Sequence, residues 1–436
     1  MQFRIRRTVR RDRPFKMALG ASFWRFWAAS LASNLSDGMA MIALPWLAAT
    51  VTDEPLLVGL VAACGRLPWL LLAMPAGVLV DRVSKLSLMT LANTVRCVLW
   101  ASLCLIILAE QASVPLLAGF AFLATTMEVV YDIATETTTN ALVHGNDLER
   151  ANGHLRTAAL VAQEIAGRPL GGLLLRVGTF LPFVFNAIAM IISVAALLML
   201  RKHQMESAAD STTHGSEASA RESLRLGLST VWRNPLLRLM LLMSLIINGS
   251  FSLALSTQVL FMQDTLGLGS VGFGVIMAIA ALGGVVGGQM AAYLKAKLPN
   301  GQLPPVCLFA MGASYLLLGL FPTVAVTAVV YCFVSAIIVT YSVSLYAIRQ
   351  RVTAANVLGR VNSVMRTAAW GVTAVGMFAG GLLVDALTPW IGVADALAVP
   401  YVVIGASCLA TAAAITQRFA VLVRDFDPAG RVQSGD

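Results

Sequence analysis

Apolar stretches of roughly twenty residues, the length that crosses a hydrocarbon core, recur along the whole 436-residue chain. They fall near 21–51, 56–80, 86–109, 114–139, 156–178, 180–200, 236–262, 270–294, 303–321, 324–348, 359–385 and 391–416. In lipid every backbone N–H and C=O must be paired within the protein, so only helices and closed barrels span a bilayer. The stretches lack the period-two alternation of barrel strands. The expected fold is an all-α membrane protein with twelve transmembrane helices. Only 12% of residues are charged, about half the share of a soluble domain. The first stretch follows seven Lys/Arg, but it is long, contains Asp37 and lacks a clear cleavage site. It is expected to stay as the first helix and not to be a signal peptide.

Charge at the connections sets the expected orientation. Arg82 and Lys85, Arg201 and Lys202, Lys295 and Lys297, and Arg349 and Arg351 fall in alternate connections, while the others carry mainly acids. By the positive-inside rule both termini are cytoplasmic, in a multi-pass protein of the cell inner (plasma) membrane. The net charge of +9 is explained by this distribution, so no nucleic-acid partner is expected. The organisation expected is a basic cytoplasmic arm at 1–20, a six-helix bundle at 21–200, a cytoplasmic linker at 201–235, a second bundle at 236–416 and a cytoplasmic tail at 417–436. The arm suits anionic membrane lipid. Residues 203–222 are polar without apolar period and read as flexible.

The chain repeats itself at half-length. Leu148–Ala159 reads L-E-R-A-N-G-H-L-R-T-A-A, and Leu358–Ala369 reads L-G-R-V-N-S-V-M-R-T-A-A, with seven of twelve positions identical at an offset of 210. A small-residue run follows each copy, at Gly167–Gly172 and at Gly376–Gly381, in register after a one-residue slip. Duplicated halves are a signature of transporters. The two bundles should therefore be pseudo-symmetric, with residues 156–178 superposing on 359–385.

Charges inside apolar spans need partners or water. Asp37 lies in span 1, Arg66 in span 2, Arg96 in span 3, Glu128, Asp132 and Glu136 at spacing four in span 4, and Glu164 and Arg168 in span 5. Spacing four puts the span-4 acids on one helical face. Two readings stand. One is a structural ion network holding the first half together; the other is substrate or proton handling, with Asp37 and Glu128 the best placed by depth. Glu136, nearest the surface, is expected to meet Arg82 or Lys85, and Glu164 or another carboxylate of its half to pair with Arg168. The second half offers neutral candidates for a cavity lining: Asn248, Ser252, Ser256, Thr257 and Gln258, then Tyr331, Ser335, Tyr341 and Tyr346. Polar helix–helix contacts would use the same residues.

Gly77-x-x-x-Asp81-Arg82-x-x-Lys85, between spans 2 and 3, resembles the signature loop of the major facilitator superfamily, with Ser84 and Leu86 where that loop has Gly and a second basic residue. Asn34–Gly38 with Ala43–Trp46, Asp147–Gly172, Arg349–Arg351 and Leu358–Ser363 resemble the exporter branch that includes the enterobactin exporter and actinobacterial drug pumps. The resemblance covers about residues 20–416. It implies two six-helix bundles around a cavity that opens alternately to each side. It implies that Asp81 caps the start of span 11, and that the span-5 run Gly167, Pro169, Gly171 and Gly172 packs against a helix of the other half. Two departures bear on coupling: the family's span-4 arginine is absent, acids standing there instead, and Arg168 replaces a usual Pro.

The reading is a secondary active exporter of amphipathic small organic molecules, driven by proton antiport and working as a monomer. A siderophore or natural-product exporter is the runner-up, and an uncoupled facilitator or membrane receptor the alternative class. The chain has no H-E-x-x-H, G-x-S-x-G or nucleotide loop, so no enzyme, cofactor or metal site is expected. The six cysteines lie inside apolar segments without metal spacing and read as packing residues.

Overall fold

A computed structural model describes residues 19–143, 147–207, 220–298 and 301–426. The basic arm lies outside the described residues. The helices are α1 (Ala21–Val51), α2 (Pro55–Cys64), α3 (Leu67–Leu71), α4 (Ala73–Arg82), α5 (Lys85–Leu108), α6 (Val114–Leu142), α7 (Asp147–Ala159), α8 (Arg168–Val177) and α9 (Leu181–Ser207). They continue as α10 (Ala220–Arg233), α11 (Pro235–Leu260), α12 (Ser270–Lys297), α13 (Leu303–Leu320), α14 (Val324–Val352), α15 (Ala355–Ile391) and α16 (Val393–Phe426). Nine helices among the described residues are long and apolar enough to cross a membrane. The long α1, the broken run α2–α4 and the run α7–α8 supply the other three passes of a twelve-pass protein.

Local chemistry explains many helix ends. Pro stands in the first turn of α2, α3, α6, α11 and α13, where its missing N–H costs nothing. Asn234 caps α11, its Oδ1 accepting from the backbone N–H of Leu236 at 2.9 Å and Leu237 at 3.2 Å. Span 2 was expected as one helix over 56–80, and it is three. Gly65 and Arg66 form a turn, and Pro68 follows in the first turn of α3; a continuous helix would need the N–H bond that proline lacks, so the helix restarts there. The linker differs too. Helix α9 runs on to Ser207 and α10 fills Ala220–Arg233, so part of 201–235 is helical. Likewise α16 reaches Phe426, beyond the expected tail boundary at 417.

The halves repeat each other in packing. In the first, α1 packs on α8 and α9, α5 on α6 and α9, and α6 on α2 and α4; in the second, α11 packs on α15 and α16, α13 on α14 and α16, and α14 on α12. Between halves, α8 meets α12 and α15 meets α2, the symmetric counterparts. The glycine doublets build this arrangement. A Cβ on Gly171 would lie 2.9 Å from the Met39 carbonyl of α1, and one on Gly172 would lie 2.6 Å from the Ser270 carbonyl of α12. In the second copy Gly380 abuts Leu253 of α11, and a Cβ on Gly381 would lie 2.8 Å from the Pro55 carbonyl of α2. In each doublet the first glycine faces its own half and the second faces the other.

The one-residue slip of the repeat has a structural cause. The offset is 210 up to Ala159/Ala369 and 209 from Gly167/Gly376 onward. The first copy therefore holds one residue more between these points, and there the helix widens to a π-helix, Leu160–Gly167. A π-bulge is how a helix absorbs an inserted residue. The second copy, α15, stays α-helical throughout.

Candidate functional site

The membrane-embedded charges of the first half gather around α1, α5, α6 and the π-helical stretch before α8. Arg96, 1% exposed, donates to Asp37, 7% exposed, across the α5–α1 contact. The same guanidinium donates to Ser33 Oγ at 3.0 Å and Asn93 Oδ1 at 3.4 Å. Asn93 Nδ2 then donates to Ser193 Oγ at 2.8 Å, and Ser193 Oγ to the Ala29 carbonyl at 2.9 Å. This ties α1, α5 and α9 together through buried polar groups. A buried ion pair needs such extra hydrogen bonds to offset its desolvation.

Glu128 and Asp132 are half-buried on α6. The charges acting on Glu128 are those of Asp37, Arg96 and Arg66. Arg66 stands at the break between α2 and α3, its guanidinium 5.3 Å from the Trp370 ring of α15, within cation–π range. Trp69 stacks on the same indole at 5.4 Å. The charges acting on Arg66 are Glu128, Arg168 and Glu164. Arg168 and Glu164 pair at 2.8 Å with side chains 23% and 31% exposed. Met41 sulfur faces both Gln163 Nε2 and Arg168 Nη2, at 3.6 and 3.7 Å.

Taken together, Asp37, Glu128, Asp132 and Glu164 stand against Arg66, Arg96 and Arg168, four carboxylates to three arginines. Two arginines have a carboxylate each, Arg96 with Asp37 and Arg168 with Glu164. Arg66 is left with Glu128, and Asp132, one turn further along α6, has Arg96 as the cation acting on it; the group therefore carries one acid in excess.

Other expected residues fall elsewhere. Glu136 bonds to Arg366 of the other half at 2.8 Å, with side chains 64% and 50% exposed; its partner is therefore not Arg82 or Lys85. Arg82 is exposed at the end of α4 and Lys85 starts α5. Gly77 has open space around it, while the Asp81 side chain lies outside the described residues. Within the span-5 run, a Cβ on Gly167 would lie 2.8 Å from Gly38 Cα of its own half, and Pro169 lies by Gly274 of α12.

In the second half Asn248 turns its amide back to the Ser244 carbonyl at 2.8 Å. Gln258 donates to Tyr331 Oη at 2.9 Å, which in turn meets Tyr401 Oη at 3.0 Å. The Tyr341 hydroxyl is buried without a hydrogen-bond partner among the described residues. Ser252, Ser256 and Thr257 are buried, and Ser252 and Ser256 lie against Gly376 and Gly380 of α15. These two make the polar helix–helix contact, because the glycines draw the two helices together.

Residues the sequence reasoning missed include Ser33, Asn93 and Ser193, polar groups in apolar helices. It also missed the counterpart of Asn248: Asn34 donates to the Ser30 carbonyl at 2.7 Å. S-x-x-x-N at 30–34 and again at 244–248 was the available signal. All six cysteines are free, and no cluster fit to hold a metal occurs among the described residues.

Comparison with known proteins follows the fold. Residues 26–377 match the family model described as the Major Facilitator Superfamily. The multidrug efflux pump Tap of Mycolicibacterium fortuitum is 25% identical over 369 residues, 82% of this chain and 88% of that protein. Among solved structures, the nucleoside transporter NupG superposes with a TM-score of 0.70 at 12% identity, covering 92% of this chain and 99% of that one. A bacterial homologue of the lysosomal transporter Spinster, inward-facing and unoccupied, gives 0.70 at 14% identity, covering 93% and 97%. A bacterial homologue of the iron transporter ferroportin, inward-facing, gives 0.66 at 14%, covering 93% and 98%. At such identities these structures speak for the fold alone.

Proposed function

The chain belongs to the major facilitator superfamily, and on that premise we propose that it exports amphipathic small organic molecules by alternating access, in exchange for protons. Export is supported by the likeness to a drug efflux pump. Proton exchange rests on one observation, the acid in excess among the membrane-embedded charges. With one proton bound the group is neutral; without it, one negative charge is exposed to a cationic or polar substrate. Desolvation favours the neutral state, and a substrate that supplies compensating charge favours the other. Proton and substrate then compete, as antiport requires. Glu128 is the residue for the exchange, because Asp37 is held by Arg96 while Glu128 is half-buried beside Arg66.

The seams between the halves fit a two-state device. On the side of Pro55, Ser270 and Gly381 the contact is backbone to backbone. Towards the other side it is made by long side chains, Arg66 on Trp370 and Glu136 on Arg366. With the orientation read from the basic connections, the backbone-sealed side is external, and the side-chain contacts lie towards the cytoplasm.

The test is transport in inverted vesicles with an imposed pH gradient, a substrate panel and a fluorescent pH probe. Antiport predicts that a substrate of the panel accumulates only with the gradient and that its addition dissipates the gradient. Equal accumulation with the gradient collapsed contradicts it.

A further inference from the structure

We propose that α10 is an interfacial helix that docks on the anionic headgroups of the leaflet from which α11 enters the membrane. Only Asn234 separates α10 from α11, and its two backbone hydrogen bonds make the corner tight. Helix α11 is long and apolar enough to span, so the last turn of α10 lies at the bilayer surface.

One face of α10 is spoken for. Val231 is fully buried, and Gly227 sits so close to α15 that a Cβ would lie 2.8 Å from the Arg360 carbonyl. Another face is not. Leu228 is 48% and Trp232 62% exposed; four residues apart, they form one stripe. Arg233, beside Trp232, and Arg238, in the first turn of α11, are exposed too. A leucine, an indole and two guanidiniums at the mouth of a span match an anionic bilayer surface. The indole sits at headgroup depth with its apolar body inward, and guanidinium binds phosphate in a two-pronged fashion. Each basic residue near an anionic surface favours it by about fivefold, the equivalent of about 1 kcal/mol.

The experiment uses the full chain in vesicles of phosphatidylcholine and phosphatidylglycerol at equal mole fraction, with either one or the other brominated on its acyl chains. The fluorescence lost between the wild type and Trp232→Phe isolates the Trp232 signal. Brominated lipid of either kind should quench it, and brominated phosphatidylglycerol should do so more, reflecting a several-fold local enrichment. High salt, or Arg233→Gln with Arg238→Gln, should make the two lipids equal. Absence of quenching by either lipid overturns the proposal and points to a protein covering this face. Equal quenching by both lipids in the wild type overturns the anionic preference.

Discussion

Replacing Gly172 or Gly381 by alanine should drive the protein out of the conformation described here. The Cβ of Gly172→Ala would lie 2.6 Å from the Ser270 carbonyl, and that of Gly381→Ala 2.8 Å from the Pro55 carbonyl. Cβ atoms essentially never approach within 3.0 Å of another heavy atom, and a carbonyl cannot rotate aside as a side chain can. The helices must part by a few tenths of an ångström. Such overpacking costs about 1–3 kcal/mol. The strain exists only while α8 meets α12, or α15 meets α2, so each alanine should disfavour the sealed state roughly 5- to 150-fold, at about 1.4 kcal/mol per factor of ten. Gly77→Ala is the control, because nothing lies within 4 Å of its Cβ. The assay is the distance between spin labels at Glu54 and Trp390, both exposed near the sealed end, in a cysteine-free background. The wild type and Gly77→Ala should give one short distance; Gly172→Ala and Gly381→Ala should add a longer population. Unchanged distances in both seam variants, with normal folding, would refute the reasoning.

Asp37→Leu should cost about 3–5 kcal/mol, because it leaves the Arg96 charge buried, and Asp37→Leu with Arg96→Met should recover much of this, as read by thermal unfolding in detergent. Arg168→Ala should cost only about 1 kcal/mol, since the pair with Glu164 is 23% and 31% exposed and thus partly screened. Arg168→Pro, the residue that the family resemblance implies at this position, should express at least as well as Arg168→Ala on immunoblots of membranes; the reverse order would count against this reading. Glu136→Arg and Arg366→Glu should each slow transport with little change in thermal stability, and the combined exchange should restore the rate; two additive defects would show that the pair acts through other contacts.

The apolar lengths made the membrane fold legible, because lipid leaves the backbone no option but the helix. The duplication was legible too, and the register slip at Gly167/Gly376 already marked the π-helical stretch, though its meaning needed the geometry. Breaks near Gly65 and Pro68 were written in residue types that the long apolar run obscured. Helix α10 was missed because its apolar face is short and its Ser and Arg content resembles a linker. The environment of Arg96 was not legible: Ala29, Ser33, Asn93 and Ser193 converge only through packing of α1, α5 and α9, and no spacing along the chain encodes that. The partner of Glu136 was missed for the same reason, as Arg366 lies 230 positions away in the other half.

The account stands most directly on two transport modes measured side by side for Glu128→Gln in proteoliposomes. One is accumulation driven by a pH gradient; the other is exchange of labelled for unlabelled substrate without a gradient. Glutamine removes the exchangeable proton yet keeps the shape, so accumulation should be lost while exchange persists. Asp37→Asn serves as the second variant. Full gradient-driven accumulation in both variants would contradict proton coupling through the membrane-embedded charges and leave them a structural network.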